Sequence, residues 1–120
     1  MILFHILTAS DWESAREAGV YRPESLNREG FIHFSMRDQL LRVANALFRG
    51  QRDLVVLEVE STLLQAPLRL EPPLEGGKEL FPHLYGALNL DAVRAVGTLT
   101  PAGDGAFVRF PDLHPIPTHR

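Results

Sequence analysis

Cysteine is missing from this 120-residue chain. That excludes a disulfide framework, thiolate chemistry and a cysteine-built zinc site. No apolar run approaches the ~20 residues of a membrane helix. The apolar stretch at 2–7 is interrupted by His5 and has no basic region before it, so it does not read as a secretory signal. Basic clusters are also missing. Lys and Arg number 12 against 15 Asp and Glu, a formal net charge of −3. With no Lys/Arg run, general nucleic-acid binding is disfavoured. There is no GxGxxG or other glycine-rich phosphate loop. No His-x-x-x-His or His-Glu-x-x-His spacing points to zinc, and neither Ser25 nor Ser35 sits in a nucleophile elbow. These absences leave a cytoplasmic, metal-free protein off the membrane as the expectation.

What is present describes a folded domain. Hydrophobic residues make up 45% and charged residues 22%, too apolar and too weakly charged for disorder. A chain this long buries roughly two-thirds of its unfolded surface, enough for one core. One domain is expected over 1–110, followed by a proline-rich tail at 111–120.

Periodicity sets the expected elements. Residues 2–7 (ILFHIL) read as a buried strand. Ser10 and Glu13 fit a capping box opening a helix that Gly19 stops. Arg22–Leu26 reads as a turn and Phe31–Phe34 as a short strand. Ser35 is expected to cap a helix through Phe48, whose Leu40, Leu41, Val43, Ala44, Leu47 and Phe48 fall on one face. Asp53–Val59 and Leu68–Glu71 read as strands, and 72–78, with paired prolines and glycines, as a mobile loop. Phe81–Gly86 is a strand or bend containing Pro82. Residues 92–100 and 106–110 are expected to form a hairpin through Gly103-Asp104-Gly105. Helices early and strands late make the class α+β.

Chemistry centres on His5, His33 and His83, each in an apolar setting. Burying an imidazole costs a few kcal/mol unless a partner satisfies it, so any one of them reads as a core histidine bonded to a carbonyl. Three together point toward a shared site. Alternation places Phe31, His33 and Ser35 on one strand face. A serine at a helix mouth can also seat an anion or amide oxygen. Tyr21 and Tyr85 can stack on a flat ring. Glu71 ends a strand, where a solvated carboxylate is the ordinary reading. Gln39 and Asn45 lie on the second helix, and His114 and His119 in the tail are given no role.

Phe4-His5, Gly19-x-Tyr21, Ser25-Leu26, Glu29-Gly30-Phe31-Ile32-His33-x-Ser35, Gln39, Ala44-Asn45 and Phe81-Pro82-His83-Leu84-Tyr85-Gly86 together resemble the family called domain of unknown function 952. The resemblance runs to about Val96. It implies a fold similar to the ADP-ribosyltransferases: two crossed antiparallel sheets with two main helices around a nicotinamide cleft. The order of pieces is distantly similar to RNA 2′-phosphotransferases and poly-ADP-ribosyltransferases. Carried over, His5 would bond the nicotinamide ribose hydroxyls, His33 or Ser35 would line the nicotinamide side, and Tyr21 or Tyr85 would form an aromatic wall. The glycine that follows the first-strand histidine in the transferases is Ile6 here.

The expected function is NAD-dependent ADP-ribosyl transfer or NAD glycohydrolysis in a histidine-lined cleft, with NAD as substrate. The alternative is a non-catalytic module that binds a nucleotide-like or other small ligand on the same fold. A three-histidine metal hydrolase ranks third. The expected catalytic residues are His5, His33, His83 and Glu71. Tyr21, Arg22, Ser25, Ser35, Gln39, Asn45 and Tyr85 are the expected ligand-binding set, and Arg28 and Arg37 are further candidates to meet a pyrophosphate.

Overall fold

The computed structural model describes residues 1–116. In chain order the elements are β1 (Ile2–Thr8), α1 (Ala9–Ala18), β2 (Val20–Tyr21), α2 (Glu24–Arg28), β3 (Ile32–His33) and α3 (Leu40–Leu47). There follow β4 (Leu54–Glu60), β5 (Leu68–Glu71), β6 (Phe81–Leu84), β7 (Leu88–Asn89), β8 (Val93–Leu99) and β9 (His114–Pro115), with 3₁₀ turns at 61–63 and 90–92. The α+β class is as expected. The two crossed sheets are corrected to three antiparallel groups: β1-β4-β8-β9, β3-β6-β5 and the pair β2-β7. No helix among the described residues is long and apolar enough to cross a membrane.

β1 is buried on both faces because its side chains alternate between two cores. Leu3 and Leu7 join Val55, Leu57, Ile32 and Leu84 on one side. Phe4 and Ile6 join Leu40, Ala44 and Phe107 on the other. His5 falls on the Leu3/Leu7 side, so its ring enters the core that β3 and β6 cover. A backbone bridge joins the two larger sheets: Phe4 N–H donates to Ser35 O at 2.9 Å and Ser35 N–H to Phe4 O at 2.8 Å.

That bridge corrects the expected role of Ser35. Its backbone is still extended and paired, so no helix can begin there. A turn follows, and α3 starts after Gln39. Ser10 does not cap α1 either. Thr8 Oγ1 accepts the Asp11 N–H at 3.1 Å, while Gly19, at φ 80°, closes the helix with its N–H on Ala15 O. The expected turn at 22–26 becomes the short helix α2, which Pro23 precedes.

The expected hairpin does not form. Residues 106–110 are not a strand, because the amide of Asn45 takes their pairing. Asn45 Oδ1 accepts the Phe107 N–H at 2.8 Å and its Nδ2 donates to Phe107 O at 2.9 Å. The place beside β8 goes to β9. The tail thus runs extended over the sheet as far as Ile116, and His119 lies outside the described residues. A Cβ on Gly97 would overlap the Asp112 carbonyl oxygen and the Leu113 side chain. Gly97→Ala is therefore expected to push the 111–116 segment off β8. Hydrogen exchange at the Ile116 amide, which now donates to Arg94 O, should accelerate at least tenfold. An unchanged rate would show that the contact is dispensable.

Candidate functional site

The three strands β3, β6 and β5 set a row of side chains side by side. His33 pairs with His83, and His83 with Arg69. Cross-strand partners share a face, and two-residue spacing adds Phe31, Tyr85 and Glu71 to that face. The sequence supplies this by alternation: Phe31-x-His33, His83-x-Tyr85 and Arg69-x-Glu71.

Glu71 is the hub. Its Oε1 accepts from His83 Nδ1–H at 2.9 Å and from the Tyr85 hydroxyl at 2.6 Å. These donors, Tyr85 first, hold the carboxyl below its ordinary range. The same bond pushes the Tyr85 hydroxyl up. Glu71 Oε2 and His83 Nε2 make no hydrogen bond among the described residues. Phe31 stacks on the His83 ring at 4.0 Å and 19°, and the Arg69 guanidinium lies 5.0 Å from the Tyr85 ring centre. The His83 side chain is only 3% exposed and Glu71 29%. His33 is open to solvent; its Nε2–H donates to Glu29 Oε1 at 2.7 Å, and its ring is 5.6 Å from that of His83. A carboxylate on one imidazole nitrogen orients the ring and leaves the other free for proton transfer.

His5 stands apart. Its Nδ1–H donates to the His33 carbonyl at 2.6 Å, and its Nε2 accepts from the Tyr21 hydroxyl at 2.8 Å. The carbonyl, which can only accept, sets the tautomer. Burial lowers the His5 pKa to about 4, and burial, then Asp11, raises that of Tyr21. Both rings are spent on each other and on the backbone.

The amides are also committed. Gln39 Oε1 accepts the Met36 N–H, and its Nε2 donates to Leu80 O and Glu79. Arg42 grips the same Glu79 with both terminal nitrogens. Together they pin the end of the 72–80 loop. Asn45 holds Phe107. Ser35 is buried in its bridge, and Ser25 lies in α2, where its carbonyl accepts the Glu29 and Gly30 N–H groups. Arg37 packs over Phe110 at 3.9 Å.

A concavity lies elsewhere. A cleft of about 390 Å³ runs between α1 and β2–α2, lined by Asp11, Ser14, Ala15, Tyr21 and Arg22 among others. On the His33–His83 face His33 is exposed, whereas Phe31 and His83 are buried. The structure thus gathers His33, His83, Glu71 and Tyr85, leaves Tyr21 and Arg22 on the cleft, and seals His5 behind them. No three or more His, Asp or Glu side chains among the described residues are grouped to hold a metal; His5, with its nitrogens on the His33 carbonyl and the Tyr21 hydroxyl, does not join His33 and His83. Sequence reasoning missed Glu29 and Arg69. Their signals were the i,i+4 spacing to His33 and the alternation with Glu71.

Fold and site define a small α+β protein with a carboxylate-oriented histidine on an antiparallel sheet face. The chain belongs to the family described as Protein of unknown function (DUF952), which it matches over residues 6–96. It is similar to protein CC0527 from Caulobacter crescentus. The crystal structure of that protein shares 32% identity, with 93% of this chain and 94% of that one covered and a TM-score of 0.80. Its solution structure shares 33% identity over 88% and 90%, at a TM-score of 0.75. No curated protein matches the sequence.

Proposed function

We propose that the β3–β6–β5 face binds a nucleotide-like small molecule, and that its chemistry is release of nicotinamide from NAD with transfer of ADP-ribose to water or another acceptor. The observation carrying this reading is the Glu71 carboxylate, kept ionised by Tyr85 and His83 through one oxygen while the other has no hydrogen-bond partner among the described residues. An anionic oxygen fixed in advance is what an oxocarbenium-like ribose needs. The ADP-ribosyltransferase-like fold implied by the sequence resemblance belongs to the same proposal.

The residues fit NAD as substrate in part. A carboxylate, an aromatic wall from Tyr85 and a guanidinium from Arg69 share the face. The ribose contact implied for His5 is missing, because both of its nitrogens are occupied. In the hydrolytic form the C1′–nicotinamide bond breaks and its electron pair leaves on the nicotinamide nitrogen. A water oxygen bonds to C1′, and its proton passes to the free Nδ1 of solvent-exposed His33.

Glu71→Gln keeps an acceptor for Tyr85 and removes the charge. Nicotinamide release, followed by chromatography at millimolar NAD, should fall roughly 100-fold or more, with the circular dichroism unchanged. No calorimetric heat with NAD or ADP-ribose and no nicotinamide from the unaltered protein would reject the proposal. The second reading, a non-catalytic binding module, is favoured by the nearly complete burial of His83. It expects ligand-induced thermal stabilisation without nicotinamide release. Turnover abolished by His33→Ala would eliminate it.

A further inference from the structure

The β3–β6–β5 sheet ends on a free edge. β5 pairs with β6 on one side, and no backbone bond among the described residues reaches its other side. The ladder determines which groups face out. The Pro82 carbonyl accepts the Phe34 N–H on the β3 side, so its neighbours Phe81 and His83 turn toward β5. Their partners Glu71 and Arg69 therefore face inward. The N–H and C=O of Leu68 and Leu70 face outward without partners among the described residues. The Leu70 side chain shares the core-side face with Leu68, yet is 43% exposed. It sits at the rim of an unfinished core.

We propose that this edge pairs with the same edge of a second copy of the chain, antiparallel and two-fold, centred on Leu70. A two-fold antiparallel pairing that keeps each face intact can centre on Leu68, Arg69, Leu70 or Glu71; centring on Leu68 pairs only that residue within β5, since Arg69 and Leu70 would meet Pro67 and Ala66 outside the strand. Centring on Arg69 sets arginine against arginine, and centring on Glu71 sets glutamate against glutamate; like charges directly opposite are destabilising. Only the Leu70 register places Arg69 of each copy opposite Glu71 of the other. It also gives Leu70 a reciprocal pair of backbone hydrogen bonds with its counterpart and buries the two exposed leucines together. Pro72, which has no N–H, falls opposite Leu68 of the second copy and ends the pairable stretch there. The result is one six-stranded sheet with two candidate sites on the same face, each Glu71 neighbouring an arginine of the second copy. This association does not depend on any ligand.

Sedimentation equilibrium of the full chain, from low micromolar to millimolar concentration, tests it. The unaltered protein should be a reversible dimer. Arg69→Glu and Glu71→Arg should each weaken the dimer roughly tenfold or more, and the double exchange should restore it. Hydrogen exchange on the unaltered chain gives a test that does not rely on variants folding: Leu68 and Leu70 amides should become more protected as concentration rises. A monomer at millimolar concentration overturns the proposal. So does a dimer indifferent to both single reversals, or Leu70 exchange independent of concentration.

Discussion

Lowering the pH from 7.5 to 5 is expected to remove about 2 kcal/mol of stability through His5 alone. An unfolded histidine titrates near ~6.5, and burial lowers the folded value to about 4. The unfolded chain therefore binds the proton first. The stabilisation is full above the unfolded value and declines as pH falls through the window down to the folded one. The cause is structural. Nε2 accepts from the Tyr21 hydroxyl and Nδ1–H is bound to the His33 carbonyl, so a proton on Nε2 would displace the tyrosine donor and charge a buried ring. Urea unfolding at several pH values measures the slope. The carboxylates with lowered values, such as Glu71 and Glu79, lose their contribution mainly below about pH 5, so the upper part of the window isolates His5. In His5→Gln, which keeps a donor and an acceptor, that part of the slope should vanish. A slope that survives the substitution would assign the effect to another group.

Phe31→Ala is expected to cost about 3–5 kcal/mol, as removal of a buried phenylalanine ring does. Phe31 is 2% exposed. It stacks on His83 and meets the rings of His33 and Tyr85 at 4.9 and 5.3 Å. Its loss leaves a cavity against the imidazole that Glu71 orients. Chemical unfolding gives the stability change, and ¹⁵N imidazole spectra should show the His83 signals broaden or shift. Phe31→Leu refills much of the volume and should cost less, separating cavity from stacking, which is worth about 0.5–1.5 kcal/mol. A loss below about 1 kcal/mol for the alanine variant would mean that the ring is not a structural wall of the site.

The two predictions concern histidines that look alike in sequence. His5 and His83 each sit inside an apolar strand. His5 has both nitrogens satisfied by a carbonyl and a hydroxyl. His83 has one satisfied by Glu71 and the other without a partner among the described residues. Neither arrangement follows from neighbours along the chain, since Tyr21 and Glu71 approach only after β2 meets β7 and β5 meets β6. Gln39 and Asn45 show the same limit. Both read as ordinary helix amides, and both are structural clamps on distant segments.

Strands β1, β4 and β5 and helix α1 were determined by the sequence itself, because apolar periodicity and Gly19 act over a few residues. The alternation that puts Phe31 with His33, Arg69 with Glu71 and His83 with Tyr85 was likewise written locally, since strand side chains alternate wherever the strand is placed. Which strands lie side by side, what covers Ser35, which segment flanks β8 and which imidazole keeps a free nitrogen were decided only by the tertiary structure. A hydrogen bond is available to any group within about 3 Å in space, and order along the chain holds no record of that distance.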